Sequence, residues 1–416
     1  MEAQKQCGYG AVEFAPISGE RMIFGEQVHD FVRVAASVVI TVALVGCSTL
    51  TRNPVPESTS LEEVPAAPGR IRIWGDVVPK NIEAIGRERD AQRRAAGVNP
   101  SGVMSYLAVS GGGSDGAFGA GLLVGWTEAG TRPKFDLVTG ISTGALIAPF
   151  AFLGSEYDPQ LKEVYTSYDA NDIARKRPLI SVLAEASLAD DSPMAHLIAR
   201  YVTPDFVDRI AAEHRKGRRL LIGTTHLDAQ RPVIWDMGGI AIRNDQNAIN
   251  LFRKIMLASA SIPGVFPPVL ISVDQDGKAF DEMHVDGGVA RQVFIFPTHF
   301  DPLTLDKELN RSPTRRLFVI RNARLNPEWQ TVEPQILKIA GRSIASLIKY
   351  QGRGDLDRMY LESRSYKIDF NLASIPVSFL DREKEPFDLE YMNALFDVGY
   401  DLGRHGYHWQ KKPPDG

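Results

Sequence analysis

The sequence contains only two cysteines, Cys7 and Cys47, both ahead of any stretch with a folded-domain pattern. A disulfide framework is therefore excluded for the body of the protein, although exported bacterial enzymes often lack disulfides too, so the compartment stays open. There is no basic excess: 47 Lys and Arg stand against 51 Asp and Glu, a net charge of −4 that argues against a nucleic-acid partner. No run of like charge is long enough to form an interaction tail. No HExxH and no clustered His/Cys pattern occurs, so neither a metal nor another cofactor is expected. The apolar stretch Val34–Val45 is twelve residues long. As a helix it would rise about 18 Å, too little for a hydrocarbon core of about 30 Å.

That stretch does fit the apolar region of a signal peptide, with Arg33 in front and Gly46-Cys47 behind. Leu44-Val45-Gly46-Cys47 resembles a bacterial lipobox, in which the cysteine is diacylated and becomes the first mature residue. Two acyl chains anchor stably where one is marginal. Against this, Glu26 and Asp30 dilute the basic lead, and the long preceding stretch makes Met22 an alternative start. The competing reading is a buried or disordered N-terminal segment. Ser48, rather than an acidic residue after Cys47, leans toward the outer membrane. The expectation is a signal and lipobox region over 1–47, a linker and extension over 48–100, and a folded domain over 101–410, held by lipidated Cys47 in the bacterial cell envelope.

The body has the means to fold, with 44% hydrophobic and 24% charged residues over 416 positions. Thr51–Arg70, rich in Pro, Ser and Glu, reads as a linker. Beyond a polar helix from Asn81 to Gly97, strands are expected at Val103–Val109, Phe135–Thr139, Arg219–Gly223, Pro232–Trp235 and Arg316–Ile320. A further short strand ends at His284 and Val285. Helices are expected at Gly144–Leu153, over most of Leu161–Ala212 with breaks near Pro178 and Pro204, at Asn247–Ala260 and at Glu333–Tyr350. This alternation argues for an α/β fold whose mostly parallel sheet is covered on both faces.

Two glycine motifs carry the chemistry. Tyr106–Ser110 runs into Gly111-Gly112-Gly113-Ser114-Asp115-Gly116 and then into a helix start. A strand, a glycine turn and a helix N-terminus together aim backbone N–H groups at negative charge. Gly111, Gly113 and Gly116 satisfy GxGxxG, and Asp136 lies twenty residues beyond Gly116, the spacing of a ribose-binding acid, so the loop alone fits a dinucleotide site as well as an oxyanion hole. Asp136 stands at the start of its strand, though, where that acid should stand at the end. The second motif is Gly140-Ile141-Ser142-Thr143-Gly144 between a strand and a helix, the setting of a nucleophile elbow. Thr143 N–H would join Gly111, Gly112 and Gly113 in stabilising an oxyanion. The plainer reading makes Ser142 a residue near a helix N-cap.

A serine nucleophile needs a base. His284-Val285-Asp286-Gly287-Gly288 puts an acid at a strand end before two glycines. A partly desolvated aspartate beside a hydroxyl can serve, because burial lifts its pKa toward the working range; the alternative for Asp286 is an ordinary turn residue. His299, His405 and His408 follow Asp286 in the order of a Ser-Asp-His triad, but nothing local marks them, and His226 reads as structural.

Glycine loop, GxSxG elbow and Asp-Gly-Gly, in that order, resemble the patatin-like phospholipase family. Ala258–Pro268 and Gly223–Asp236 resemble its flanking segments, and the likeness covers Ser105–Val289 best. The resemblance implies a three-layer α/β/α sandwich and a Ser142–Asp286 dyad with neither histidine nor metal. It further implies motif glycines at Gly116, Gly140, Gly144, Gly287 and Gly288, and a membrane lipid or other fatty-acyl ester as substrate. Where the family often carries Arg or Lys, this chain has Asp115, which weakens any preference for anionic phospholipids. Two alternatives remain: an esterase, thioesterase or transacylase acting on soluble acyl substrates, and a noncatalytic envelope lipoprotein.

Overall fold

The computed structural model describes residues 52–57, 71–176, 187, 189–275 and 277–414. Val34–Val45, the lipobox with Cys47, and residues 58–70 of the expected linker lie outside the described residues. The described piece of that linker is fastened to the body. Arg52 forks onto Asp228 at 2.6 and 2.8 Å, and the Asn53 side chain donates to the Ala279 carbonyl. No helix among the described residues is long and apolar enough to cross a membrane.

Nine strands form the central sheet: β1 (Arg72–Trp74), β2 (Val103–Val109), β3 (Leu137–Gly140), β4 (Arg219–His226), β5 (Arg231–Asp236), β6 (Val269–Gln275), β7 (Lys278–Asp286), β8 (Thr314–Arg321) and β9 (Asp369–Ser374). Strands β4, β3, β2, β8 and β9 run parallel side by side. β5 and then β1 extend the sheet antiparallel beyond β4. The β6–β7 hairpin joins through β7, which also pairs antiparallel with β4. Sheet membership thus begins at Arg72, ahead of the expected domain boundary at 101, because Ile73 and its neighbours complete the exposed edge of β5.

β2 shows why a central strand reads as unbroken apolar sequence. Leu107 and Val109 pack into one core, while Met104, Tyr106 and Ala108 pack into another on the opposite face. The major helices are α1 (Ile82–Ala95), α2 (Gly116–Glu128), α3 (Thr143–Leu153), α4 (Asp158–Thr166), α5 (Ser192–Tyr201), α6 (Pro204–Arg215), α7 (Gln246–Ala260), α8 (Ile336–Ser365) and α9 (Leu389–Arg404). Leu122 and Phe118 of α2, Ile147 of α3, Phe252 of α7 and Leu395 of α9 share the first core; Leu356 and Met359 of α8 belong to the second. The expected α/β/α sandwich is the observed architecture.

The break expected near Pro204 is present, while two helices differ from expectation. α5 ends at Tyr201 and Pro204 heads α6, because its missing N–H is one a first turn leaves unbonded anyway, and Thr203 caps Phe206 N–H at 3.3 Å. The helix expected to stop at Tyr350 runs on to Ser365. α9, unanticipated, lies against α2 at glycine contacts: a Cβ on Gly121 would stand 2.0 Å from Phe396 O, and one on Gly399 2.3 Å from Phe118 O.

Candidate active site

Ser142 sits between β3 and α3 with φ 55° and ψ −127°, a backbone strain of the kind that concentrates at functional sites. The flanking glycines make the turn possible. A Cβ on Gly140 would lie 2.3 Å from Gly144 O, and one on Gly144 2.3 Å from Val109 O. Ser142 N–H donates to Ser259 Oγ at 3.0 Å, and Ser259 Oγ in turn donates to Gly223 O at 2.7 Å. The elbow is therefore tied to the end of α7 and to β4.

Strand register brings Asp286 to the same level. Gly140 pairs with Ile222 across β3 and β4, and Thr224 pairs with Asp286 across β4 and β7. Ser142 lies two residues past Gly140, and Thr224 lies two past Ile222. The Ser142 side chain hydrogen-bonds to the Asp286 carboxyl, and Gly288 N–H donates to Asp286 Oδ1 at 2.6 Å. Asp286 N–H is held by Ser261 O at 2.9 Å. Both side chains are nearly sealed, Ser142 being 6% exposed and Asp286 5%. Burial raises the Asp286 pKa to about 6, against the pull of its two hydrogen bonds. Gly287 is needed for close passage, since a Cβ there would meet Gly223 O at 2.5 Å.

The glycine loop is less uniform than its sequence. Gly111 N–H donates to Gln292 O at 3.1 Å, so it is engaged and not available as an oxyanion donor. What Gly111 supplies is closeness, because its Cβ would stand 3.1 Å from Ser142 Cβ. Among the described residues, Gly112, Gly113 and Thr143 N–H have no acceptor, and Gly112 is exposed. Gly116 lets Thr143 pack close, its Cβ position being 2.1 Å from Thr143 Oγ1. Behind the loop, Arg321 donates to Ser110 Oγ and to Gly111 O, both at 3.1 Å, and Asn322 Nδ2 donates to Ser110 O at 3.0 Å. A strained serine, a buried acid bonded to it and three open amides lie together here, an arrangement with the parts that acyl transfer requires.

Residues 107–299 match the family model described as patatin-like phospholipase. The chain carries a patatin-like phospholipase domain. It is similar in structure to VipD from Legionella pneumophila, with a TM-score of 0.37 and 11% identity over 74% of this chain and 67% of VipD. It is also similar to ExoU of the Pseudomonas aeruginosa type III secretion system, solved with SpcU, with a TM-score of 0.28 and 13% identity over 73% of this chain and 52% of the other. For human GIVD cytosolic phospholipase A2 the values are 0.29 and 9%, over 75% and 53%. The chain thus spans about half the length of the latter two, and likenesses so distant carry no argument about function. No curated protein matches it.

The other candidates fall away from the patatin-like site. Asp136 ion-pairs with Arg93 and accepts Ser105 N–H at 2.8 Å, which occupies it at the foot of β3 and leaves no ribose acid. His299, His405 and His408 are exposed, and no contact joins them to Ser142 or Asp286. His226 ends β4 in a buried group with Glu282 and His284, whose ligand-type atoms lie within 4.8 Å of one another. Fifty-six residues separate His226 from Glu282, so no sequence spacing displayed the group. Its cation position is already filled: both Glu282 oxygens bind Arg72, and His284 Nε2 lies 3.0 Å from Glu282 Oε2.

Asp115 accepts from Tyr391 OH at 2.5 Å, and burial raises its pKa to about 6. Arg324 and Arg321 both interact with it electrostatically, as do the like-charged Glu383 and Glu328.

Proposed function

We propose that this domain hydrolyses fatty-acyl esters of lipids through an acyl-enzyme, with Ser142 as nucleophile and Asp286 as general base. The observation that carries the reading is the hydrogen bond between Ser142 and an aspartate whose pKa burial has lifted to about 6. At neutral pH that carboxylate is ionised yet basic enough to take a proton. Ser142 Oγ attacks the acyl carbonyl carbon while its proton passes to Asp286. Gly112, Gly113 and Thr143 N–H receive the oxyanion, each aimed donor being worth about 3 kcal/mol in the transition state. Collapse breaks the ester bond, and Asp286 returns the proton to the departing alkoxide. Water then gives a proton to Asp286 and attacks the acyl-serine, releasing the fatty acid and restoring the hydroxyl.

An aggregated lipid substrate is supported by apolar side chains that stand in solvent around this end of the domain. Val289 lies three residues beyond Asp286 and is exposed; its carbonyl accepts from Gln351 of α8 at 3.2 Å. From there α8 exposes Leu347, Ile344 and Leu337, and Trp329, in the segment that leads into α8, is 85% exposed. Exposed apolar patches of this kind mark lipid or protein contact surfaces. Anchoring through lipidated Cys47 in the bacterial envelope, facing either side of its membrane, belongs to the same proposal. It rests on the lipobox resemblance, and detergent-phase partitioning unchanged in Cys47→Ala would remove it.

The test of the chemistry is fatty-acid release from a mixed panel of phospholipids and short-chain esters by wild type, Ser142→Ala and Asp286→Asn. Loss of activity in both variants is expected, with phospholipid preferred. Preference for soluble esters would favour the esterase or thioesterase alternative, and activity surviving Asp286→Asn would call for another base. No turnover by any folded form would favour the noncatalytic lipoprotein.

A further inference from the structure

A cavity with a volume of about 490 Å³ lies at the side of the domain away from Ser142. This is within the range of about 300–1,000 Å³ usual for small-molecule sites. It opens between α1, β1 and the sheet face, and Ile82, Ile85, Leu137, Leu221, Ile234 and Phe296 supply much of an apolar wall. Leu137 and Arg219, which also line it, begin β3 and β4, whereas Ser142 stands beyond the other end of β3. Neither Ser142, Asp286 nor the glycine loop contributes to its lining. Much of the wall comes from Arg72–Arg89 and Pro302–Arg315, outside the stretch that matches the family model.

Charge at this cavity is out of balance. The guanidiniums of Arg89, Arg93 and Arg219 lie close enough that the other two both disfavour the charge on Arg89. Two acids answer them. Asp136 ion-pairs with Arg93 and also favours the charge on Arg89, and Asp236 lies 3.7 Å from Arg219 and 3.4 Å from His214, so two acids face three guanidiniums. Arg89 itself bonds two backbone carbonyls, Gly217 O at 3.0 Å and Asp136 O at 3.2 Å, with no carboxylate in ion-pair contact among the described residues. The remaining charged lining is committed elsewhere: Arg72 to Glu282, Arg311 to Asp90 and Asp306, and Arg315 to Asp306, while the exposed Glu88 accepts from Gln92. Buried charge without a counter-ion is costly, so a site with this surplus gains from an anion.

We infer that this cavity binds a single-chain amphipath with a one-charge anionic head, of which a fatty acid is the simplest, at a site separate from the ester-cleaving centre. The head pairs with Arg89, and the chain lies along Ile82, Ile85 and Leu221. The inference does not rest on the hydrolase reading, since none of its residues belongs to that site.

The experiment is calorimetric titration of the full chain with dodecanoate and, separately, with dodecanol. Wild type should bind dodecanoate more tightly than the alcohol. Arg89→Gln should weaken dodecanoate at least tenfold and leave dodecanol unchanged, and Arg89→Lys should restore most of the difference. Ile85→Trp, which fills the chamber, should remove both ligands; if it fails to fold, the acid–alcohol contrast at Arg89 still decides. Ser142→Trp, which blocks the ester site, should leave dodecanoate binding intact. The inference is overturned by no dodecanoate binding to folded wild type, by equal effects of Arg89→Gln on acid and alcohol, or by loss of binding in Ser142→Trp.

Discussion

Asp286→Asn should abolish turnover and yet make the protein more stable at alkaline pH. The folded-state pKa of Asp286 is raised from 3.8 to about 6. A carboxyl whose folded pKa is raised holds its proton more tightly in the native state. Its contribution to stability is therefore complete below about pH 4 and is lost as pH rises through about 6. Every tenfold gain in proton affinity on folding corresponds to about 1.4 kcal/mol, so burying the ionised form costs the wild type about 3 kcal/mol at pH 8. Asparagine never ionises, and its amide oxygen can still accept from Gly288 N–H while its NH₂ faces Ser142 Oγ. Denaturant unfolding at pH 4 and pH 8 reads the difference directly, because other titrating groups are common to both proteins. The expected gap is near zero at pH 4, opens between pH 4 and 6, and is about 3 kcal/mol in favour of the variant at pH 8. In parallel, wild-type kcat/KM should climb to a plateau with an apparent pKa of about 6. A variant no more stable at pH 8, or a gap that ignores pH, would refute the claim that Asp286 is held as a desolvated base.

Three other outcomes follow from the same geometry. Ser142→Gly should be as inactive as Ser142→Ala but more stable by about 1 kcal/mol in denaturant unfolding, since glycine carries the φ of 55° without strain. Gly113→Ala should fold, because nothing lies within 4 Å of its Cβ position. At φ +58°, however, the turn must readjust, and kcat should fall by about tenfold or more with KM little changed. Leu347→Ser combined with Trp329→Ala should lower hydrolysis of vesicle lipid by about tenfold while sparing a soluble short-chain ester, because both side chains stand in solvent and touch neither dyad residue.

Periodicity and motif chemistry, where both were strong, located the elements that matter most. Val103–Val109 and the Ser142 elbow carry their own signals: an apolar run into glycines, and a small–Ser–small turn between strand and helix. α8 extends past Tyr350 through Gly352, Gly354 and a charged stretch with few apolar residues, so composition concealed a helix that Leu356 and Met359 hold to the second core. α9 escaped for a related reason. Its Gly399 and Gly403 look like helix breakers in isolation and become contact points only against the α2 backbone, Gly399 at Phe118 and Leu122 and Gly403 at Leu122, Gly125 and Trp126.

The site divides along the same line. Ser142 and Asp286 were visible as residue types in a pattern, but what joins them is register. β7 runs antiparallel to β4, so that Asp286 meets Thr224 at the level Ser142 reaches beyond β3. A slip of one residue in that hairpin would turn Asp286 to the other face of the sheet and bring Val285 or Gly287 to its place. For the same reason no one-dimensional reading of Gly111-Gly112-Gly113 could say which amides are open. Gly111 N–H is committed to Gln292 O, and Gln292 is itself fixed by Asp355 of α8, which accepts its N–H at 2.7 Å. Loop and base are thus braced by one segment, Asp286–Gln292, so a change that loosens Gln292 should disturb both the oxyanion donors and the base that takes the Ser142 proton.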